Sequence, residues 1–265
     1  MQNEWQGKWA LVTGASAGIG LELATQLATG GTHLVLTARR RDRLEALAAK
    51  LKASHNVQVE IFVADLTQTE APEKIYALTK KKGLAIHLLI NNAGFGQYGE
   101  LPQVETQRLL DMLQVNCAAV VHLTRLFLPD MIARGCGDVL ILASTASFQA
   151  VPYISTYAAT KAFDLLFAEG LAEEMKPHGI RVCALCPGST ESEFHVMAGQ
   201  EQFSAKHAQE TAEKVARTGL EALAAGKSYV ISGLGNYLGA QSQRIVPRRL
   251  VTRIAASMFR PDKGR

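Results

Sequence analysis

The chain reads as a single α/β domain built on a doubly wound parallel sheet, with a carboxy-terminal amphipathic helical extension. Three observations predict this. Short β-branched apolar runs alternate with longer helical patterns along most of the 265 residues. The runs are apolar on both faces, as central strands covered by helices on either side must be. No Pro/Gly/Ser linker, internal repeat or low-complexity segment divides the chain, and 265 residues fit one core.

The predicted strands are the runs at 9–12, 34–36, 57–63, 86–90, 139–142 and 180–185. Helical patterns at 42–52, 69–82, 107–133, 156–176 and 210–225 lie between and after them, so right-handed crossovers are expected. Residues 1–231 are expected to carry the functional residues and 232–265 to form an appendage of the same domain. In that appendage Val246, Leu250, Ile254 and Met258 recur every four positions beside Arg244, Arg248, Arg249, Arg253 and Arg260, with Pro247 suited to a first helical turn. Contact with an acidic membrane surface, an acidic carrier partner or a lid are functional readings of this basic amphipathic helix. Packing on its own core or on a neighbouring subunit is the plainer expectation.

Composition excludes several classes. At 48% hydrophobic and 20% charged residues the chain is not disordered. The longest uncharged run, 139–160, carries Ser, Thr, Gln and Pro throughout and is unsuited to hydrocarbon, and the amino terminus shows no secretory pattern. A cytoplasmic location is expected. Cys117, Cys136, Cys183 and Cys186 are too sparse for a disulfide framework. Net charge is +4, but residues 241–265 hold seven basic side chains against Asp262, a local +6 that leaves −2 for the rest. A nearly neutral body argues against nucleic-acid binding.

The first strand runs into Thr13-Gly14-Ala15-Ser16-Ala17-Gly18-Ile19-Gly20 and then a helical pattern. In that setting one glycine permits the tight turn, one lets the backbone approach a pyrophosphate, and one allows close helix packing, while free N–H groups attract the anion. This is a Rossmann-type dinucleotide turn with GxxxGxG spacing. An NAD-specific site would carry an acid at the end of the second strand. Here the strand ends Thr37-Ala38-Arg39-Arg40-Arg41, and Arg39 is suited to a 2′-phosphate, so NADP(H) is expected. Arg41 and Arg43 read as solvated.

Tyr157 and Lys161 stand at i and i+4 of one helical pattern and share a face. A tyrosine titrates near 10, so acid/base work at neutral pH calls for lowering its pKa by ~3 units, which one ammonium at ~4 Å can supply at an effective dielectric near 20. Ser144 ends the fifth strand, at the sheet edge where ligands collect, and could hold a carbonyl oxygen.

These residues make the chain resemble the short-chain dehydrogenase/reductase family in its compact form. The matching elements are Thr13-Gly14-x-x-x-Gly18-x-Gly20, Asp65-Leu66, Asn91-Asn92-Ala93-Gly94, Asn116, Ser144, Tyr157-x-x-x-Lys161 and Pro187-Gly188, over roughly residues 8–230. The resemblance implies an NADP(H)-dependent oxidoreductase moving hydride between nicotinamide and a carbonyl or secondary alcohol. Tyr157 would exchange the proton, Lys161 would lower its pKa and bind the nicotinamide ribose, Ser144 would orient the substrate, and Asn116 would hold a water in a relay to Lys161. Gly14, Ser16, Gly18, Ile19, Gly20, Arg39, Asp65, Leu66, Asn92, Gly94, Pro187, Gly188 and Thr190 would bind the cofactor. The family often has a Thr four residues after the Pro-Gly pair, where this chain has Ser192, so either Ser192 or Thr190 is left to meet the carboxamide. A homodimer or homotetramer on the helices at 107–133 and 156–176 is also implied.

The remaining signals read plainly. Cys183 and Cys186 sit three apart in a strand, on opposite faces, and His122, His178 and His195 lack metal-ligand spacing, so no metal is expected. Loops at 95–101, 147–154 and 191–202 hold Phe95, Tyr98, Phe148, Tyr153, Phe194 and Met197, which suggests an apolar pocket for a hydrophobic ketone or alcohol. A noncatalytic NADP(H)-sensing or scaffold protein on the same fold is the alternative.

Overall fold

The computed structural model describes residues 4–199 and 209–260. Strand β1 (Trp9–Thr13) leads through the glycine turn into α1 (Gly18–Thr29), followed by β2 (His33–Ala38), α2 (Arg41–His55), β3 (Val59–Val63), α3 (Ala71–Lys81) and β4 (Ile86–Asn91). The second half runs α4 (Thr106–Leu113), α5 (Ala119–Arg134), β5 (Gly137–Leu142), α6 (Ser155–Met175), β6 (Ile180–Cys186), α7 (Phe194–Met197), α8 (Ala212–Ala224) and β7 (Tyr229–Ile231). Helices α9 (Leu234–Ser242) and α10 (Arg248–Phe259) follow.

Among the described residues the strands form one parallel sheet in the order β3-β2-β1-β4-β5-β6-β7. The order reverses between β1 and β4, which opens a crevice at the carboxyl ends of the strands. Alternation along each strand feeds two cores. Leu11, Val35, Leu89, Val139 and Val182 face the core shared with Ile75, Met112, Phe127 and Leu165. Ala10, Leu34, Leu88, Leu140 and Leu185 face the one shared with Leu23, Leu44 and Val215. Cys183 and Cys186 fall in opposite cores, as strand periodicity requires.

Four features depart from the sequence reading. Strand β7 has only three residues, too few for a periodic signal, and it adds to the sheet by pairing with Ala184, Leu185 and Cys186. The predicted helix at 107–133 contains a π-helical turn, Gln114–Ala118. Helix α9 lies ahead of the predicted tail helix, and the short α7 lies within the predicted 191–202 loop, whose last residues fall outside the described ones. Residues 1–3 and 261–265 of the two predicted chain divisions are likewise outside them. Thr106–Arg134 is long and apolar enough to cross a bilayer, yet half of its most apolar window is buried. Its buried members, Met112, Leu123, Phe127 and Met131, pack in the first core.

The glycine turn is braced from below. Thr13 Oγ1 donates to the Ile90 carbonyl (3.1 Å) and accepts from the Asn92 and Ala93 N–H groups (2.9 Å each), while Asn92 Nδ2 donates to the Thr13 carbonyl (2.8 Å). The Asn92 amide thereby fills the space between Gly14 and Gly20. A Cβ on Gly20 would lie 2.5 Å from the Gly14 carbonyl oxygen and closer still to Asn92 Nδ2. Because one of these neighbours is backbone, Gly20→Ala is expected to destabilise the fold by about 3 kcal/mol in urea titration, through overpacking. An unchanged midpoint would show that the turn does not depend on this close approach.

Candidate active site

A cavity of 610 Å³ opens along the carboxyl ends of the strands. Gly14, Ser16, Gly18 and Ile19 line one end, with Arg39, Asp65 and Leu66 beside them; Asn92, Gly94, Ser144, Tyr157, Lys161, Pro187, Gly188 and Thr190 line the rest. Two predicted residues are off its wall. Gly20 packs beneath the turn against Asn92, and Asn116 is buried behind the wall.

Glycines in the wall stand where a side chain would not fit. Gly14 and Gly18 take positive φ values of 67° and 55°, which an L side chain rarely adopts. A Cβ on Gly14 would lie 2.9 Å from Ala93 Cα, and one on Gly94 would lie 3.1 Å from Asn116 Oδ1 and 3.5 Å from Lys161 Nζ. The free N–H groups at the start of α1 and the arginines nearby suit an anion. Asp65 Oδ1 accepts from the Thr67 N–H (3.0 Å), so its carboxylate orders the turn after β3 as well as lining the cavity. Thr190 Oγ1 donates to the Gly188 carbonyl (3.1 Å) and Ser192 Oγ to the Thr190 carbonyl (3.3 Å); both residues line the cavity.

The basic group is larger than Arg39. Arg39 is exposed on the rim. Arg40 donates to Ser16 Oγ through Nε (3.2 Å) and Nη2 (2.9 Å), and to Glu193 Oε2 through Nη1 (2.6 Å). Arg43 takes the other oxygen of the same carboxylate, so it is not merely solvated. The two guanidinium groups hold the Glu193 carboxyl below its ordinary range. Adjacent arginines carry no periodic signal that separates them, so sequence reasoning missed Arg40.

Ser144 caps the 3-10 turn Thr145–Phe148 at the end of β5. Its Oγ accepts from the Ala146 N–H (3.1 Å), and its own N–H donates to Ser147 Oγ (3.2 Å). Ser147 Oγ in turn donates to the Lys161 carbonyl (2.6 Å), tying this turn to α6. On α6, Tyr157 and Lys161 face the cavity one turn apart. Ser144 lies close enough to the Tyr157 hydroxyl to pull its pKa down, and the tyrosine ring lies 5.2 Å from that of Phe194.

Lys161 Nζ donates to the Leu142 carbonyl (2.6 Å) and to Asp164 Oδ2 (3.0 Å), with both side chains almost fully buried. Burial opposes the ammonium, but Asp164 and Tyr157 outweigh it and hold the lysine pKa above its ordinary value. Burial also pushes the Asp164 carboxyl up to about 6, against the pull of Lys161. Tyr157 departs from the expectation of a lowered pKa. Burial raises it, and this outweighs the lowering by Lys161 and Ser144, with Asp164 adding to the rise. The one-ammonium argument missed Asp164, which looks in sequence like another polar residue of the helix.

The Asn116 side chain is fully engaged with its neighbours. Its Nδ2 donates to the Phe95 carbonyl (3.0 Å) and to Thr160 Oγ1 (3.0 Å), and its Oδ1 accepts from the Phe95 N–H (3.1 Å). Thr160 Oγ1 donates to the Tyr157 carbonyl (2.7 Å), so the amide fastens the wall segment at Phe95 to the helix turn that carries the tyrosine. The π-helical turn directs it there, a local widening that periodicity does not announce.

Of the six predicted pocket residues, Phe95, Phe194 and Met197 line the cavity, joined by Val151, Ile154, Met258 and Phe259. The other three do not. Tyr98 donates its hydroxyl to the Phe259 carbonyl (2.8 Å), Phe148 packs on Tyr229, and Tyr153 forms a left-handed turn at φ 68°.

The model of the short chain dehydrogenase family matches residues 8–202. Very-long-chain 3-oxoacyl-CoA reductases of Phaeosphaeria nodorum and Bos taurus are 35% and 34% identical over 67% and 69% of this chain. The chain spans only 53% and 59% of those relatives. A short-chain dehydrogenase from Sphingobium yanoikuyae, solved in complex with NADPH, superposes with a TM-score of 0.82 at 29% identity, covering 97% of this chain and 98% of that one. A bulky-bulky ketone specific alcohol dehydrogenase from Comamonas testosteroni gives 0.76 at 25% identity, covering 97% and 96%.

Replacing Asp164 by Asn should expose the electrostatics of the buried pair. Without its anionic partner the Lys161 ammonium is uncompensated, and urea unfolding near neutral pH should show a loss of about 3 kcal/mol. Burial then depresses the folded-state lysine pKa, so the unfolded chain binds more protons and the variant should gain stability as pH rises toward about 10. A deficit that stays constant with pH would contradict a charged Lys161.

Proposed function

This chain belongs to the short-chain dehydrogenase family, and from that premise we propose that it is an NADP(H)-dependent oxidoreductase acting on a hydrophobic ketone or the matching secondary alcohol. The observation that carries the proposal is the convergence of Ser144, Tyr157 and the Lys161–Asp164 pair at one end of a cavity whose other end is the glycine turn.

The residues present fit the dinucleotide. Gly14, Gly18 and the start of α1 leave room and N–H groups for a pyrophosphate, Arg39 and Arg40 suit a 2′-phosphate, and no acid stands at the end of β2 to favour a free 2′-hydroxyl. Asp65, Leu66, Asn92, Gly94, Pro187, Gly188 and Thr190 complete the holding set in this reading. When bound, NADPH supplies a hydride from nicotinamide C4 to a carbonyl carbon.

The protein's own part is a proton transfer and its electrostatics. Tyr157, with its pKa held up by burial, keeps its phenolic proton at neutral pH, the state needed to protonate a carbonyl oxygen as charge develops there. Ser144 presents a hydroxyl to the same oxygen. The Lys161 ammonium stabilises the tyrosinate left behind, and Asp164 keeps that ammonium charged. Asn116 acts as a positioning residue through Phe95 and Thr160. Phe95, Val151, Ile154, Phe194 and Met197 form the apolar wall that favours a hydrophobic ketone over a sugar. Long-chain 3-oxoacyl thioesters, the class named for the curated relatives, belong among the first substrates tried. Intact Ser144, Tyr157 and Lys161 speak against a noncatalytic sensor. The exposed Leu110, Leu113, Phe163 and Leu166 support assembly through the long helices as a homodimer or homotetramer.

Fluorescence titration should show tighter binding of NADPH than NADH, followed by turnover on a panel of apolar ketones. Tyr157→Phe should lower kcat by about a thousandfold while NADPH affinity stays within a few-fold; undiminished turnover would remove the proton-donor assignment. Light scattering at micromolar concentration should give a dimer or tetramer, and a monomer would defeat the assembly proposal.

A further inference from the structure

The tail helix is apolar on two sides. Its inner side, Val251, Ala255 and Phe259, turns inward: Ala255 is buried in the first core and Phe259 packs against it. The stripe read from sequence, Leu250, Ile254 and Met258, runs beside that row, about 100° round the helix, and is 48%, 50% and 51% exposed. Ile245, in the turn before it, is 88% exposed, and Leu234 and Leu238 of α9 are 75% and 60% exposed. So many exposed large apolar side chains within one short segment mark a candidate interaction surface.

The charges around this set have one sign. Residues 234–260 contain Arg244, Arg248, Arg249, Arg253 and Arg260 and no acidic residue. Among the described residues, none of these five arginine side chains forms an ion pair. The nearby acid Glu210, which contacts Asn236 of α9, is paired with Lys214.

We propose that α9 and α10 form a docking face for an anionic lipid surface, with the exposed Leu and Ile side chains entering the acyl boundary and the arginines meeting lipid phosphates. A bilayer offers both chemistries together. A second copy fits less well, because a two-fold contact would oppose the same arginine-rich patch to itself. An acidic protein would satisfy the arginines but leave the exposed apolar stripe to be matched separately. The face also adjoins the cavity: Met258 lies in both the exposed stripe and the cavity wall, and Asn236 of α9 lines the same wall. On the functional reading above, an amphiphilic ketone would reach Tyr157 from the lipid side.

Co-sedimentation of the full chain with vesicles tests the proposal without reference to the reaction. The protein should pellet with phosphatidylcholine–phosphatidylglycerol vesicles at low salt and stay in solution with phosphatidylcholine alone. Raising the salt should weaken binding. Replacing both Arg249 and Arg253 by Gln should weaken it by about thirtyfold, at roughly one unit charge's attraction per arginine. Ile254→Asp should also release the protein, and unchanged NADPH affinity would show both variants folded. Failure to pellet with the mixed vesicles, or binding indifferent to both variants, overturns the proposal. An oligomer that Ile254→Asp dissociates, in a protein that ignores vesicles, assigns the face to a second copy. Capture of an acidic peptide with no vesicle binding assigns it to a protein. Vesicle binding with no ketone turnover would count against the reaction and not against this surface.

Discussion

A buried ammonium organises the catalytic end of this molecule. Lys161 can keep its charge inside the fold only because the Leu142 carbonyl and the Asp164 carboxylate face it. Each of those partners then constrains something else. Leu142 ends β5, so the lysine is tied to the strand edge from which Ser144 projects; Asp164 lies on α6 one turn beyond, so the ammonium is also fixed relative to Tyr157. Asp164 Oδ1 has no hydrogen-bond partner among the described residues, so its one bonded partner is the lysine, while its charge also acts on Tyr157. The tyrosine is therefore surrounded by one positive and one negative charge, and burial decides the balance in favour of the protonated phenol.

The opposite end of the cavity is held by neutral groups packed too closely for any alternative. Thr13 and Asn92 take up the backbone of β1, β4 and the turn between β1 and α1, and the two glycines exist to leave the Asn92 amide its room. Rigidity here serves ligand binding, because N–H groups aimed in advance need no reorganisation on meeting an anion. The arginine cluster is the charged counterpart. Arg40 and Arg43 share Glu193, a residue at the edge of α7, so the segment bordering the cavity is held to the proposed 2′-phosphate region by a carboxylate. An arriving phosphate would compete with that carboxylate for the same donors.

What could be read from sequence follows from the range of each interaction. The strands and most helices were legible because periodic burial repeats over many residues: Leu11, Val35 and Leu89 line up in one layer and their neighbours in the other. The glycine turn and the Tyr157–Lys161 spacing were legible because chain geometry alone sets them side by side. Asp164 was not, since its significance lies in being nearly dry beside Lys161, and dryness is a tertiary property. The bonds of the Asn116 amide to Phe95 and Thr160 were not legible either, because they depend on a π-helical turn. Strand β7 escaped because three residues cannot display a period.

The tail shows the same principle with the sign reversed. A four-residue apolar repeat beside arginines announces an amphipathic helix, and the natural inference is that the repeat turns inward. The helix instead turns inward through the smaller Val251 and Ala255 together with Phe259, leaving the longer residues in water. At the end of the helix the Phe259 carbonyl accepts from the Tyr98 hydroxyl, and Met258 lines the cavity. The outer stripe is then the consequence of a sequence that satisfies two surfaces at once. One is the wall of its own cavity; the other, on the proposal above, is an anionic lipid surface that offers apolar chains and negative charge together.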